Sequence, residues 1–276
     1  MRVLSICPSN TELMVFMGLS HLLVGLDDDS DWPSSIQHLP RVGRDLAIDM
    51  DKVESLSPDL VVASLSVPGM ERNIEQLIQR GIHHIVLNPQ SLKDIADDLV
   101  VLGKTIQYLK AGTSTAEDFL HDVNLLKQAS IAVTSPPSIY FEWWPKPVFS
   151  PGGINWLTEV SELSGAYNIF SHLNQASIQT DWEEVRSHNP DVIALAWVGI
   201  QQKKNAGLVK KRPKWNEMKA VRQEKILLLE EELYCRPSPR LIQGAYKLGC
   251  LLHPEIYTLL KDSLKTVKEE VDSKGR

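Results

Sequence analysis

The chain has 276 residues, of which 43% are apolar and 23% charged, and its 29 basic and 35 acidic residues leave a net charge of −6. These values exclude a disordered tail, a collagen-like fibre and a disulfide-rich miniprotein, and they offer no basic field to draw in nucleic acid. The length suits two domains of about 130 residues or one large α/β domain, either able to bury a core.

The N-terminus, Met1-Arg2-Val3-Leu4-Ser5-Ile6, reads directly as a strand over 2–6. A secretory leader would show a basic region, a longer apolar stretch and a small-residue cleavage site. No apolar run reaches the roughly 18 residues of a membrane span. Cys7, Cys235 and Cys250 are odd in number and far apart, which is not a disulfide framework. These features predict a cytoplasmic protein, with an extracytoplasmic location as the alternative if a leader has been removed.

After the first strand, Pro8-Ser9-Asn10-Thr11-Glu12 reads as a turn and N-cap, and a helix through Leu13, Phe16 and Met17 stops at Gly18. Strands follow over 22–26 and 60–63, then a helix over 71–80 closed by Gly81, then a strand over 84–87. That rhythm predicts a mostly parallel sheet flanked by helices. Two helices, 92–109 and 113–127, come next. The second keeps Ala116, Phe119, Leu120, Val123 and Leu126 at i, i+3, i+4 spacing. Ser135-Pro136-Pro137-Ser138 punctuates the chain. Strands then resume over 139–141, 192–196 and 226–229, with helices near 154–163, 239–252 and 255–270. The expected organisation is an N-terminal α/β lobe over 1–110, a connecting helix over 111–129 and a C-terminal α/β lobe over 130–276.

An internal repeat supports two similar lobes. DKVESLSPDLVVA over 51–63 is echoed 132 residues later by EEVRSHNPDVIAL over 183–195. Two facing lobes would leave a cleft between them as the default ligand site. Enzyme signatures are missing: no GxSxG, no Walker A loop, no GxGxxG after a strand, no HExxH and no CxxC. Gly152-Gly153 precedes a helical pattern and reads as a turn or an anion site. The eight histidines are scattered, and His83-His84 point to opposite faces of a strand, so no dedicated metal site is expected. Seven tryptophans stand at 32, 143, 144, 156, 182, 197 and 215, several where strands end. Ligands of open α/β sheets bind outside the carboxyl ends of strands, and Trp there suits a large flat ligand. The alternative is that each Trp packs a loop.

Several segments resemble, in order and spacing over about residues 2–252, the cobalamin-binding receptors of ABC importers. They are Ser5-Ile6-Cys7-Pro8-Ser9-Asn10-Thr11-Glu12, Ser30-Asp31-Trp32-Pro33, Pro58-Asp59-Leu60-Val61 and Arg236-Pro237-Ser238-Pro239-Arg240. The wider superfamily of helix-linked receptors also takes siderophores and haem. The resemblance implies two Rossmann-like lobes on one backbone helix and binding of cobalamin or another corrinoid without catalysis. It implies a monomer that meets an importer permease, with no nucleic acid and no membrane span. It places ligand contacts on Asp29 and Trp32, and on Glu231, Glu232, Leu233, Tyr234, Cys235 and Arg236. Arg44 and Ser64 stand where the best-known cobalamin receptor has pocket tryptophans. Trp143, Trp144 and Trp197 are expected to serve instead.

The resemblance also implies a permease-docking acid on each lobe, at Asp51 and Glu183, the first residues of the two repeats. Charge-assisted pairing with Arg explains a carboxylate there, and so does the helix dipole at a first turn. Cys7 and Cys235 read as possible cobalt contacts or as small buried hydrophobes. Two rivals remain open at this level. One is a receptor for a ferric siderophore or haem, using Arg41, Arg44, Arg236 and Arg240. The other is a cytoplasmic enzyme on a related scaffold, marked by an acid–base pair of shifted pKa.

Overall fold

Short Val-, Ile- and Leu-rich runs become parallel strands in this chain, fully buried at the centre of each sheet and partly exposed at its edge. The computed structural model describes residues 1–197 and 206–267. The chain divides into two units, Met1–Glu117 with Arg236–Pro239, and Asp118–Cys235 with Arg240 onward.

The first unit runs β1 (Val3–Ser5), α1 (Pro8–Phe16), β2 (Leu23–Leu26), β3 (Gly43–Arg44), β4 (Ala47–Ile48), α2 (Met50–Ser55), β5 (Leu60–Ser64), α3 (Glu71–Gln79), β6 (His84–Leu87) and α4 (Leu92–Thr105). Its main sheet has the order β2-β1-β5-β6, all parallel, with Val3 opposite Leu60 and Val62 opposite Ile85. Every residue of β5 is buried. Each Val or Leu so placed contributes about 1.5–3 kcal/mol. Helix α1 starts earlier than the sequence suggests. Pro8 is its first residue, because a proline lacks only an N–H that a first turn leaves unused and its φ is already helical. Ser9, Asn10, Thr11 and Glu12 therefore lie inside the helix and not in a turn.

Helix α4 opens on a capping box in which Ser91 and Asp94 satisfy each other's backbone N–H groups. It ends at Thr105 where a helix to 109 is predicted, since Gln107 turns the chain at φ 67°. The next helix, α5 (Leu109–Ile131), has 23 residues and carries the chain from the first unit into the second. Its Gly112 lies so close to α4 that an added Cβ would sit 2.3 Å from the Leu99 carbonyl oxygen.

The second unit holds β7 (Ser138–Glu142), β8 (Trp144–Pro145), β9 (Val148–Pro151), α6 (Trp156–Leu163), β10 (Tyr167–Asn168), β11 (Ser177–Thr180), α7 (Trp182–His188), β12 (Val192–Leu195), α8 (Ala206–Lys210), α9 (Lys219–Arg222), β13 (Ile226–Leu228), α10 (Glu231–Tyr234), α11 (Leu241–Leu252) and α12 (Pro254–Tyr257). Its main sheet, β10-β7-β12-β13, is again all parallel and repeats the order of the first. A second, antiparallel sheet of order β11-β9-β8 is not foreseen from sequence. The expected helix over 255–270 breaks up. α12 passes into a 3₁₀ turn over Thr258–Ser263, and residues 268–270 lie outside the described residues. The segment after it is tied to α5, where the buried Asp122 carboxylate accepts the Lys265 N–H at 2.9 Å, the Thr266 N–H at 2.7 Å and the Thr266 hydroxyl at 2.6 Å.

The sequence repeat is a structural one. Helices α2 and α7 are capped by Asp49 and Asp181, 132 residues apart, each accepting from the N–H groups two and three residues on. The acid of each Pro-Asp pair then tethers the neighbouring strand. Asp59 accepts the Arg2 N–H at 2.6 Å, and Asp191 accepts the Ser138 N–H at 2.9 Å.

Candidate functional site

In the first unit, the loop after β2 carries four acids in five residues, Asp27, Asp28, Asp29 and Asp31. Its first half is held from below. The buried Asp27 accepts the Asp29 N–H at 2.9 Å and the Ser30 hydroxyl, and Ser30 meets Thr11 at 2.8 Å. Burial pushes the Asp27 carboxyl up to about 7, against those two hydrogen bonds, which lower it. Arg41 clamps the loop backbone, donating to the carbonyls of Asp27 at 2.6 Å and Ser30 at 2.9 Å. Trp32 lies half-buried with its ring 5.6 Å from that of Phe16 at the end of α1.

The second half of the loop meets the segment Arg236–Pro239, which belongs to this unit. Arg236 is buried. It donates to Glu12 at 3.2 Å, to the two oxygens of Asp31 at 2.5 and 3.2 Å, and to the Asp29 carbonyl at 3.4 Å. The other Glu12 oxygen accepts the Ser238 hydroxyl. Burial opposes the charge on Arg236, but the Asp31 hydrogen bond and the Glu12 charge outweigh it and raise the guanidinium pKa. Asp29 faces Arg44 at 3.4 Å, and the Arg44 side chain is 68% exposed. Ser64 is buried at the end of β5, where its hydroxyl donates to Ser66. The structure thus brings Asp29, Trp32, Arg44 and Arg236 to one region of this unit. Cys7 is buried too, its thiol pushed up to about 11 by burial and by Asp27.

In the second unit, the corresponding strand ends hold aromatic residues around another ion pair. Glu142 ends β7, fully buried, and Arg212 donates to both of its oxygens at 2.6 Å. Tyr140 donates to Glu142 at 2.7 Å and the Trp197 indole at 2.9 Å. The guanidinium of Arg212 lies 4.8 Å from the Trp182 ring and 4.4 Å from the Trp215 ring. Trp197 is only 4% exposed and belongs to this core, whereas Trp144 is 40% exposed. Trp143 is half-buried, 6.4 Å from Trp156. Of the 231–235 run, Glu231 and Glu232 are half-buried, and Leu233 and Tyr234 are buried with the Tyr234 hydroxyl on the Gly244 carbonyl. The Cys235 thiol donates to the Ala196 carbonyl at 3.2 Å.

Sequence reasoning reaches neither Glu142 nor Arg212. The one signal is a lone carboxylate inside the apolar Tyr140–Trp144 run.

Asp51 and Glu183 occupy the first turns of the equivalent helices α2 and α7, with side chains 84% and 70% exposed. Each already has an arginine. Arg80 bridges Asp51 at 2.6 Å and Glu54 at 2.7 Å, and Arg186 pairs with Glu183. The Arg186 hydrogen bond lowers the Glu183 pKa. Among the described residues no group of three or more His, Cys, Asp or Glu is placed to hold a metal ion, and no helix is long and apolar enough to cross a membrane.

Two parallel sheets of the same strand order, joined through one 23-residue helix and bearing aromatic and ionic clusters at strand carboxyl ends, define a helix-linked solute receptor. The chain belongs to the periplasmic binding protein family, whose sequence pattern matches residues 3–233. It is 28% identical to the vitamin B12-binding protein of Yersinia pestis, over 90% of this chain and 84% of that one. It is also 28% identical to an uncharacterized ABC transporter substrate-binding lipoprotein of Bacillus subtilis, over 93% of this chain and 81% of that one. The crystal structure of the periplasmic vitamin B12 binding protein of Vibrio cholerae superposes with a TM-score of 0.73 at 25% identity, covering 93% of this chain and 97% of that one. A periplasmic heme-binding protein of Pseudomonas aeruginosa shares the fold, with a TM-score of 0.80 at 21% identity, over 92% and 93% of the two chains. The family is one of non-catalytic substrate-binding proteins.

Proposed function

We propose that this protein binds a corrinoid of the cobalamin type and delivers it to an ABC importer. The observation that carries the reading is the likeness to vitamin B12-binding proteins along nine-tenths of the chain. The chemistry of the strand ends supports it. An anionic siderophore or a haem dipropionate calls for available cations. Here Arg41 is engaged with backbone carbonyls, Arg44 with Asp29, Arg212 with Glu142, and Arg236 with Glu12 and Asp31. The loop that Arg41, Arg44 and Arg236 meet is acidic, which repels an anion and accepts hydrogen bonds from an amide-fringed corrin. Haem also asks its protein for an axial ligand. Tyr140 within β7 and Tyr234 at the end of α10 are buried, hydrogen-bonded and held in the neutral form by burial. A corrinoid brings its own axial chemistry.

The ligand contacts we assign are Asp29, Trp32, Arg44, Ser64, Trp143, Trp144, Arg236 and the 231–235 run, with Trp144 the most exposed aromatic ring among them; the expected contact from Trp197 is withdrawn, because its ring packs in the core of the second unit. Asp51 and Glu183 are the acids that meet the permease, which places the working protein outside the membrane. Binding of haem or a ferric siderophore on the same fold is the second reading, since a heme-binding protein shares that fold.

Calorimetry with cyanocobalamin, cobinamide, haem and a ferric siderophore separates the two readings. Corrinoid heats at about 1:1 stoichiometry are expected, and heat from haem or the siderophore alone overturns the corrinoid assignment. Cell fractionation that finds the native protein only in the cytosol removes the importer role and leaves a corrinoid carrier.

A further inference from the structure

Glu12 sits on α1 with its carboxylate all but sealed from solvent, its side chain 1% exposed. Taking such a charge out of water costs several kcal/mol, and a well-packed apolar residue often serves stability as well or better. What an apolar residue cannot do is fix the orientation of a guanidinium. Arg236 presents a planar fork whose donors have set directions. With one nitrogen on Glu12, the fork grips both oxygens of Asp31 and the carbonyl of Asp29. Ser238, two residues along the same segment, holds the second oxygen of Glu12, so the carboxylate itself does not rotate.

The loop is therefore held in two halves. Asp27, Thr11 and Arg41 secure residues 27–30 through their own contacts. The half that carries Asp31, next to Trp32, is gripped through Arg236. We propose that Glu12 is a positioning residue for ligand binding, acting through Arg236 to set the Asp29–Asp31 backbone and carboxylate, with Ser238 as its support. This rests on the reading that the 29–32 loop meets the ligand. Ordering the loop before binding removes an entropic cost from the complex.

The test uses the full-length protein and two readouts. Hydrogen exchange of the free protein compares the amides of 29–32 with those of β1 and β5. Titration with cyanocobalamin gives the affinity. Glu12→Gln keeps the shape and removes the charge. It is expected to speed exchange in the loop and to weaken cyanocobalamin binding, each by about tenfold, while strand exchange stays unchanged. In an Arg236→Gln background the same substitution is expected to add nothing further, because the group it acts through is gone.

Unchanged loop exchange, exchange that rises equally in the strands, or full additivity in the double variant would each overturn the proposal. Should Glu12→Gln fail to fold, Ser238→Ala removes only the support and is expected to give about a threefold loop effect, its absence counting against the idea. A wild-type protein that ignores cyanocobalamin refutes the ligand assignment, and the exchange readout still decides the role of Glu12.

Discussion

Each unit buries a Glu–Arg pair at the carboxyl end of its sheet, and the two pairs are built differently. In the second unit Arg212 and Glu142 meet through two 2.6 Å hydrogen bonds, with side chains 4% and 0% exposed, walled by Trp182 and Trp215. In the first, Arg236 divides its donors between the sealed Glu12 and Asp31, whose side chain is 54% exposed. A closed pair fixes a core, while a divided one carries the rigidity of a buried anchor out to a surface loop.

The largest expected effect breaks the closed pair. Arg212→Met strips the buried Glu142 of its guanidinium partner and should cost about 3–5 kcal/mol in urea unfolding. A loss below about 1 kcal/mol would mean that the pair is not a keystone of the second unit.

The open end predicts a pH effect. Asp27 keeps its proton to about pH 7 when folded and loses it at ordinary carboxylate values when unfolded. The folded state therefore binds more protons between about pH 4 and 7, and stability falls as pH rises through that window. The loss reaches about 2–4 kcal/mol by pH 8. Asp27→Asn should remove the Asp27 share of this slope, matching wild type below about pH 4 and exceeding it increasingly up to pH 8, while Asp98, whose carboxyl burial also raises to about 7, keeps its own share. Parallel stability–pH curves for the two proteins would show that Asp27 does not carry it.

A smaller effect separates exposed from buried aromatic rings. Trp144→Ala should weaken cyanocobalamin binding by about 1–3 kcal/mol, by analogy with base–aromatic stacking, and leave unfolding unchanged. Trp197→Ala should destabilise the fold, since its ring is core. Normal binding by a folded Trp144→Ala protein would remove this ring from the site.

The smallest stability effect belongs to the outer acids. Asp51→Arg and Glu183→Arg each break an exposed ion pair and should leave the unfolding midpoint almost unchanged. Cyanocobalamin affinity should hold while cellular uptake is lost. Uptake that survives both reversals would rule these acids out as the permease contact.

The sequence carried the fold far because strands and helices are local. The parallel order followed from buried runs alternating with amphipathic ones, and the 132-residue echo marked the equivalent corners down to their Asp caps. The antiparallel sheet was hidden, since Ser177–Thr180 and Val148–Pro151 are short and polar enough to read as loop. The ionic clusters were hidden for another reason. Glu142 and Arg212 lie 70 residues apart and Glu12 and Arg236 lie 224 apart, and no periodicity connects them. Strand-end position alone also could not tell that the Trp197 ring turns inward to Glu142 while Trp144 faces out.

The return of Arg236–Pro239 to the first unit bears on how the protein is made. Ribosomes deliver the β2-β1-β5-β6 sheet as soon as residue 87 has emerged, yet the arginine and serine that Glu12 needs come almost 150 residues later. Until then a nascent first unit lacks the guanidinium and the hydroxyl that Glu12 takes up in the finished protein. Its final state is reached near the end of translation, so an excised fragment of residues 1–117 is an incomplete domain rather than an independent one.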